Sequence, residues 1–314
     1  MSTQMSQERP RTTGGYLAMG ITVAVWAGFA LSMRGISSSR LEPADVALLR
    51  FGVPSLLLLP LLPSRLPALR KAPRAAATAL LLGAGIPFFF LAAEGGARTS
   101  AAALGTLVPG LVPAFVALAR GLRLLPPGLG AGRGNRAALA LVLAGVGVLV
   151  LPDFATGNGN GLLGAGMLML ASALWAAYTL SLEAIGLEPL ACALLLCLPS
   201  GLVVATLVVS GAVPSALATA GIADVLPFLL VQGVGVGFLA TITYPMAVQR
   251  LGAPRAALLG TVSPVLVAVL AVPLLGEELG PVQLAGVALV TAGVVRNQLT
   301  TRVVVQRTNG ELDA

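Results

Sequence analysis

The sequence predicts an all-α integral membrane protein with ten transmembrane helices, arranged as two inverted five-helix repeats. Its composition indicates a membrane protein, because 57% of the 314 residues are hydrophobic and only 10% are charged, whereas soluble domains carry about 25% charged residues. The apolar residues form long blocks instead of amphipathic stripes, which is typical of membrane spans. In addition, short segments of the first half of the chain return, in the same order, in the second half.

Five pairs of segments carry this internal repeat, and both tryptophans of the chain belong to one pair. The pairs are Ala24-Val25-Trp26-Ala27 with Ala173-Leu174-Trp175-Ala176, Leu41-Glu42-Pro43 with Leu187-Glu188-Pro189, Gly83-x-Gly85-x-x-Phe88 with Gly233-x-Gly235-x-x-Phe238, Leu104-Gly105-Thr106-x-x-Pro109 with Leu259-Gly260-Thr261-x-x-Pro264, and Leu141-Val142-x-Ala144-Gly145 with Leu289-Val290-x-Ala292-Gly293. Internal repeats within the bilayer are typical of secondary transporters, whose substrate site lies between the two halves.

Ten apolar stretches predict the transmembrane helices. They lie near 14–33, 46–64, 75–93, 99–119, 137–152, 161–182, 189–210, 225–247, 256–276 and 279–296. Each reaches or approaches the length of about 20 residues that a helix needs to cross the hydrocarbon core. We assign residues 14–152 to the first repeat and 161–298 to the second, with cytoplasmic tails at 1–13 and 299–314. The N-terminal tail lacks the apolar region and cleavage site of a signal peptide, so we expect it to be retained.

The distribution of basic residues predicts the orientation in the membrane. If the N-terminus is cytoplasmic, fifteen basic residues lie on that side, and only Arg34, Arg40 and Arg98 lie on the other. Since cytoplasmic loops are enriched in Lys and Arg, we expect both termini to be cytoplasmic. With an odd number of spans in each repeat, the second repeat enters the membrane from the opposite side, so the repeats are predicted to be inverted.

Several other classes of protein lack their characteristic residues in this chain. The net charge of +7 does not indicate nucleic-acid binding, because the basic residues are dispersed among loops without an aromatic-basic patch. The chain has no histidine, and Cys192 and Cys197 fall on different faces of a helix, so neither a metal site nor a disulfide is predicted. Motifs of intramembrane enzymes and of ATP-driven pumps are absent as well. We therefore predict a protein that is not an enzyme and has no cofactor.

Aromatic side chains are the first candidates for a substrate site. Trp26 and Trp175 lie well inside their helices, not at the interfacial belt where tryptophan is enriched. Their equivalent placement in the two repeats favours an aromatic wall of a central cavity over simple helix packing. Tyr178 and Tyr244 add hydroxyl groups that either hydrogen-bond a substrate or only pack.

Arg50 is the one charged residue well inside a span. Intramembrane ionisable residues are costly and functional by default. We expect Arg50 to bind a substrate carboxylate or to form a gating ion pair with Glu94, although outward snorkelling of the side chain is an alternative. For Glu94, an ordinary charge near a loop is the alternative.

Pro109 and Pro264, together with Pro113, are expected to break the fourth and ninth spans beside the site. Proline removes an intrahelical hydrogen bond, and the freed carbonyl groups are tolerated where they line a cavity. Thr106 and Thr261 each precede one of these prolines by three residues. We expect each threonine either to satisfy the freed backbone or to face the substrate, and a simple adjustment of helix shape is the alternative role for the prolines.

These residues resemble the EamA-type branch of the drug/metabolite transporter superfamily, whose members have ten helices in two EamA repeats. The resemblance extends over about residues 14–298 and is most specific from Ala253 to Val295. The matching motifs are Ser263-Pro264-Val265, Leu275-Gly276-Glu277-Glu278, Leu49-Arg50-Phe51 and the two tryptophans. The resemblance implies export of small metabolites such as amino acids, or of toxic compounds, across a bacterial inner membrane.

The resemblance also draws attention to Glu277, at the outer end of the ninth span. The family's Leu-Gly-Glu is present as Leu275-Gly276-Glu277, whereas the equivalent stretch of the first repeat reads Arg120-Gly121-Leu122. The resemblance implies a structural or gating role for Glu277 at this single position. A solvated loop charge that caps the last helix is the alternative.

The absence of Asp and Glu from the middle of every span disfavours strongly cationic cargo. A neutral or zwitterionic solute, with its carboxylate near Arg50 or a helix N-terminus, fits better. The sequence therefore predicts a secondary active transporter that exports small metabolites by alternating access, with a cavity lined by spans one, two, three, four, six, eight and nine. Export of drugs or toxic compounds, a channel and a lipid-handling protein are the alternatives. The expected partners are a small-molecule substrate and the lipid bilayer, not nucleic acid, and a homodimer stays open.

Overall fold

In the part of the chain that the structure describes, every regular element is a helix. The structure is a computed structural model, and it describes residues 5–121, 136–252, 256, 259–260, 262–278, 280–293 and 295–296. The α-helices are α1 (Met5–Ile36), α2 (Pro43–Leu58), α3 (Leu62–Lys71), α4 (Arg74–Ala84), α5 (Ile86–Arg98), α6 (Ala101–Gly121), α7 (Arg136–Ala155), α8 (Gly159–Ala184), α9 (Pro189–Val209), α10 (Ile222–Phe228), α11 (Thr241–Leu251), α12 (Val262–Leu275) and α13 (Pro281–Gly293). A 3₁₀ turn (Leu59–Leu61) connects α2 to α3, and a π-helix (Leu229–Ala240) connects α10 to α11.

Six helical segments are long and apolar enough to cross a membrane. They are Thr13–Ile36, Pro43–Lys71, Arg74–Arg98, Gly159–Ala184, Pro189–Val209 and Ile222–Leu251. Four shorter apolar helices accompany them, at Ala101–Val116, Ala140–Pro152, Val262–Leu275 and Pro281–Gly293. Each apolar stretch predicted from the sequence overlaps one of these segments, so the described part of the chain agrees with the predicted all-helical membrane fold.

The third apolar segment of each half departs from a regular α-helix. In the first half, α4 ends and α5 begins around Gly85, which takes a non-helical conformation (φ −87°, ψ −145°). Pro87 follows at the start of α5, where it has no N–H to give to the preceding turn. In the second half the chain widens into the π-helix, a rare geometry that is frequent at functional sites. Both irregularities fall on the repeated Gly-x-Gly-x-x-Phe motif.

The two halves of the chain pack against each other through matching pairs of helices. α1 packs against the π-helix and α11, and α8 packs against α5 and α4. α2 packs against α9, and α6 packs against α12. In addition, α2 contacts the π-helix as α9 contacts α4, and α1 contacts α12 as α8 contacts α6. Each of these contacts between two elements therefore has a counterpart in which every element is replaced by the equivalent element of the other half.

Glycines allow neighbouring segments to cross closely near the centre of the molecule. A Cβ atom on Gly237, in the π-helix, would lie 2.1 Å from the carbonyl oxygen of Arg50 in α2. A Cβ atom on Gly83, in α4, would lie 2.5 Å from the carbonyl oxygen of Leu174 in α8. Both distances are far shorter than any normal contact, so these crossings require a residue without a side chain.

A buried carboxylate fixes the loop between α9 and α10 to the start of α2. Asp45 is fully buried. Its side chain accepts hydrogen bonds from the Glu42 backbone N–H (3.0 Å), the Ser215 hydroxyl (2.5 Å) and the Ala216 backbone N–H (2.9 Å). The bond to Glu42 caps α2, and the other two bonds tie this helix of the first half to a loop of the second half.

We predict that Gly237→Ala lowers the thermal denaturation midpoint of the purified protein, because α2 and the π-helix must separate to accommodate the methyl group. Overpacking of this kind costs about 1–3 kcal/mol. Unfolding in detergent, followed by circular dichroism, measures the effect. Gly166→Ala in α8 is the control, since a Cβ atom there meets nothing within 4 Å. Equal midpoints for the two variants would show that the crossing at Gly237 does not constrain the fold.

Candidate functional site

A cavity with about 430 Å³ of space, including open solvent, lies between the two halves. Its wall comes from α1, α2, α5, α6, α8, the π-helix and α12, which coincide with the seven spans predicted to line it. Its aromatic side chains are Trp26, Phe29, Phe88 and Trp175, and its polar side chains are Arg50 and Ser263. Small and apolar residues complete the wall, among them Pro109 of α6. This central cavity is therefore mostly apolar and aromatic, with one formal charge among its described residues.

Each half contributes one tryptophan to the wall of the central cavity. The indole rings of Trp26, in α1, and Trp175, in α8, meet edge to face with centroids 5.6 Å apart. The ring of Phe88 packs against Trp175, with centroids 4.8 Å apart. Because these two are the only tryptophans of the chain, every indole of the protein lies where a ligand in the cavity would touch it.

The two tyrosines predicted for the site lie behind the tryptophans. The ring centroid of Tyr244 is 5.0 Å from that of Trp26, and the ring centroid of Tyr178 is 5.0 Å from that of Trp175. Both tyrosines are buried, and the hydroxyl groups of Tyr244 and Thr179 share a hydrogen bond of 3.1 Å. Neither tyrosine is part of the cavity wall, so their position is that of the packing alternative, and a contact with the substrate stays a prediction.

The side chain of Arg50 points into the protein interior and does not snorkel outward. Only 2% of the residue is exposed. Its guanidinium group lies 5.1 Å from the ring centroid of Phe29 and 5.9 Å from that of Phe88. Phe51 and Phe89 lie at 5.6 and 5.9 Å. Aromatic faces at such distances attract a cation, so these four rings partly replace the water that a guanidinium group loses on burial.

An amide, not a carboxylate, is the hydrogen-bond partner of Arg50. Nη1 of Arg50 donates to Oε1 of Gln232 at 3.3 Å, and Nε2 of Gln232 donates to the Ser32 hydroxyl at 2.7 Å. Gln232 is fully buried in the π-helix. No carboxylate in the described part of the chain forms an ion pair with Arg50. Glu94 pairs with Arg98, one turn further along α5, so the structure does not bring Glu94 and Arg50 together.

α6 runs without interruption through Pro109 and Pro113, and the matched kinks expected at these prolines stay a prediction. Prolines are tolerated inside membrane helices where neighbouring groups satisfy the backbone. Next to Pro109, the hydroxyl of Ser172, in α8, donates a hydrogen bond of 2.6 Å to the carbonyl oxygen of Val108. This bond connects α6 to α8, whereas the carbonyl group that Pro109 frees is that of Gly105.

Thr106 and Pro264 are not part of the wall of the central cavity. Thr106 is fully buried, and its hydroxyl donates to the Ala102 carbonyl of the same helix at 2.7 Å. Pro264 is buried near the start of α12. Thr261 lies outside the described residues.

A second, larger cavity lies near the ends of α1 and α5 and the start of α6. We name it the outer cleft, because the distribution of basic residues predicts that this end of the molecule lies outside the cytoplasm. It holds about 1160 Å³ of space, including open solvent. Polar side chains line much of it, among them Arg34, Arg98, Ser100, Glu277 and Gln283.

Glu277 connects three elements beside the outer cleft. Its Oε1 accepts a hydrogen bond of 2.7 Å from the backbone N–H of Ala101, at the start of α6, and lies 3.7 Å from Nε of Arg34, near the end of α1. Glu277 itself follows α12, so these contacts join the two halves of the chain. Its side chain is 14% exposed, which distinguishes it from a freely solvated loop charge.

The described residues contain no group of three or more His, Cys, Asp or Glu that could hold a metal ion. Cys192 and Cys197 are free and buried. Neither thiol is part of the wall of the central cavity. The chemistry available there is therefore that of one guanidinium group, one hydroxyl group and aromatic surfaces.

Sequence reasoning missed Gln232, Phe29 and Phe88. Gln232 is the only amide in the apolar stretch 225–247, and this is a usable signal because polar groups within the bilayer need partners. Phe88 is the last residue of the repeated Gly-x-Gly-x-x-Phe motif, which also could have marked it. Nothing in the sequence separates Phe29 from the other apolar residues of α1.

Comparison with known proteins agrees with this geometry. Residues 162–297 match the EamA-like transporter family, which confirms the resemblance expected from the sequence. A solved structure described only as "Crystal structure of protein" is similar over 94% of this chain and 99% of its own, with a TM-score of 0.63 and 18% sequence identity. At that identity the similarity establishes the fold alone. No curated protein matches the chain. The family and the apolar helices together indicate a multi-pass membrane protein.

We predict that Glu277→Gln makes the central cavity more accessible to solvent. The amide still accepts from Ala101 but loses the charge that attracts Arg34 and the start of α6. We expect the contact between the two halves beside the outer cleft to weaken by about 0.3–1 kcal/mol, which raises the rate of solvent access about two- to fivefold. The reporter is Ala30→Cys, because Ala30 lines the cavity and is 1% exposed. The measurement is the rate at which this cysteine reacts with a maleimide in the purified protein.

Glu94→Gln is the matched control for this experiment, since the ion pair of Glu94 with Arg98 stays within one helix. The native cysteines are buried and contribute little background reaction. Equal rates in the two variants would contradict a gating role for Glu277.

Proposed function

We propose that this chain is a secondary active transporter of small organic solutes, because residues 162–297 match the EamA-like transporter family. The central cavity is the proposed substrate site. One observation carries the proposal: each half contributes an equivalent tryptophan, Trp26 or Trp175, to a single cavity between the halves. A site shared by two repeats is the arrangement that alternating access uses.

The proposed mechanism is the rocking of two inverted five-span repeats around this cavity. The exchangeable contacts between the halves support it, since α1 packs on the third segment of the second half as α8 packs on the third segment of the first. An odd number of spans in each half reverses the direction of the second half in the bilayer. The distribution of basic residues favours cytoplasmic termini, and the family resemblance favours a bacterial inner membrane.

Arg50 defines the expected chemistry of the solute. It is the one formal charge among the described residues of the wall, so a carboxylate is the complementary group. Small carboxylic acids carry such a group, amino acids among them, and export is the proposed direction of transport. The aromatic rings of the wall favour a second candidate, the export of apolar drugs or toxic compounds, because mostly apolar pockets bind such ligands.

Efflux from cells that lack their own exporters tests the proposed function. Cells with and without this chain are loaded with labelled amino acids or with neutral drugs, and release is followed with and without a protonophore. Release of one class that depends on the chain supports the proposal, and loss of this release with the protonophore identifies a proton gradient as the driving force. The absence of any release that depends on the chain would contradict export and favour import or lipid handling.

We predict that Trp175→Ala and Arg50→Ala each reduce transport while the protein still inserts into the membrane. Each substitution removes a contact with the bound solute, and loss of a hydrogen bond to a charged group alone corresponds to about tenfold or more. Transport rates are divided by the amount of protein in the membrane fraction. Leu170→Ala is the control, because Leu170 lies on the same helix as Trp175 and is 53% exposed. Unchanged flux in both site variants would refute the assignment of the cavity.

A further inference from the structure

The wall of the central cavity contains a cation whose charge no carboxylate of the described residues compensates. Arg50 is 2% exposed, and no carboxylate of the described residues pairs with it. Its partner is the neutral amide of Gln232. A buried charge without a counterion is unfavourable, so a ligand that brings a negative charge to this position gains from neutralising it.

The hydrogen bonds of Gln232 orient the guanidinium group without neutralising it. Because Nε2 of Gln232 donates to the hydroxyl of Ser32, Oε1 is the atom that accepts from Arg50. A guanidinium group has five N–H donors, and Gln232 accepts from one nitrogen atom only. Donors therefore remain for a ligand in the cavity, and their planar arrangement matches that of a carboxylate.

The same wall has no anionic side chain for an ammonium group among its described residues. There, Ser263 carries the one neutral side chain with a hydrogen-bond acceptor. The faces of Phe29 and Phe88 already lie 5.1 and 5.9 Å from the guanidinium group of Arg50, so the indole rings of Trp26 and Trp175 are the remaining aromatic surfaces. A zwitterion leaves the net positive charge of the site unchanged, whereas a monoanion cancels it. A monoanion therefore fits this wall better than a zwitterion of the same shape.

We propose that the central cavity binds small organic monocarboxylates with an apolar or aromatic body in preference to zwitterionic amino acids of the same shape. The carboxylate binds Arg50, and the apolar body packs against Trp26 and Trp175. Gln232 is the positioning residue that keeps the guanidinium group oriented. The physiological meaning of this inference rests on the proposed function, whereas its test measures binding alone.

Intrinsic tryptophan fluorescence tests the inference, because both tryptophans of the chain line the cavity. The purified full chain is titrated with four probes that share one aromatic body: phenylpropionate, phenylalanine, phenylpropylamine and phenylpropanol. We expect phenylpropionate to bind about tenfold or more tightly than either phenylalanine or phenylpropanol, since phenylpropanol lacks the charge-assisted bond to Arg50 and phenylalanine adds an ammonium group that loses water without an anionic partner. The amine is expected to bind most weakly, because Arg50 repels it.

Two substitutions at Gln232 separate the charge of the site from its shape. Gln232→Glu places a carboxylate beside Arg50, so we expect it to weaken phenylpropionate binding about tenfold or more and to remove the preference over phenylalanine. Gln232→Met removes the hydrogen bond but adds no charge, so the preference for the anion is expected to persist at lower affinity. Gln283→Glu is the control, because Gln283 lines the outer cleft. Thermal denaturation of each variant verifies that it is folded.

The outcomes distinguish this inference from the proposed function. Equal or tighter binding of phenylalanine, an unchanged preference in Gln232→Glu, or no fluorescence response to any probe would overturn the inference. A response that changes in Gln283→Glu but not in Gln232→Glu would assign the anion to the outer cleft and would also overturn it. Binding of phenylpropionate in the predicted order, without transport in proteoliposomes, would support the inference and contradict the proposed function. Transport of other solutes, together with no preference for phenylpropionate in the binding titrations, would support the proposed function and overturn the inference.

Discussion

A guanidinium group without a carboxylate partner is unfavourable to bury, and the surroundings of Arg50 reduce that cost in several ways. Phenyl rings surround the cation, and the amide of Gln232 accepts one of its hydrogen bonds. The π-helix that carries Gln232 also carries Gly237, whose missing side chain allows this segment to approach the backbone of Arg50. The irregular third segment of the second half, the glycine motif and the aromatic cluster are therefore parts of one arrangement around a single charge.

The duplicated scaffold holds a site that is not itself symmetric. The tryptophans match between the halves, as do the contacts of α1 and α8 with the third segments. By contrast, Ala47-Leu48-Leu49 corresponds to Ala193-Leu194-Leu195, so the counterpart of Arg50 is Leu196. Likewise, Glu277 corresponds to Leu122 of the first repeat. Apolar residues that match between the halves thus build the wall of the cavity. Arg50 has no charged counterpart in the other half and determines which solutes bind. Glu277 has no acidic counterpart and makes the two ends of the molecule different.

The sequence predicts those parts of this site that depend on the internal repeat. Equivalent placement identified Trp26 and Trp175, and an isolated charge in an apolar stretch identified Arg50. The partner of Arg50 was not predictable, because Gln232 approaches it only through the packing of α2 on the π-helix. The position of Tyr244 behind Trp26 also depends on contacts between the halves. The continuity of α6 through Pro109 could not be predicted either, because helix packing, not local sequence, decides whether a proline breaks a helix.

A crystal structure with para-bromophenylpropionate tests whether Arg50 holds the negative end of a solute between the two tryptophans, because anomalous scattering locates the bromine atom independently of any assay. We expect one bromine site in the central cavity beside Trp26 and Trp175, with the carboxylate against Arg50, and loss of that site in Arg50→Ala. A bromine atom in the outer cleft, beside Arg34 and Arg98, or one that stays in place in Arg50→Ala, would contradict this expectation.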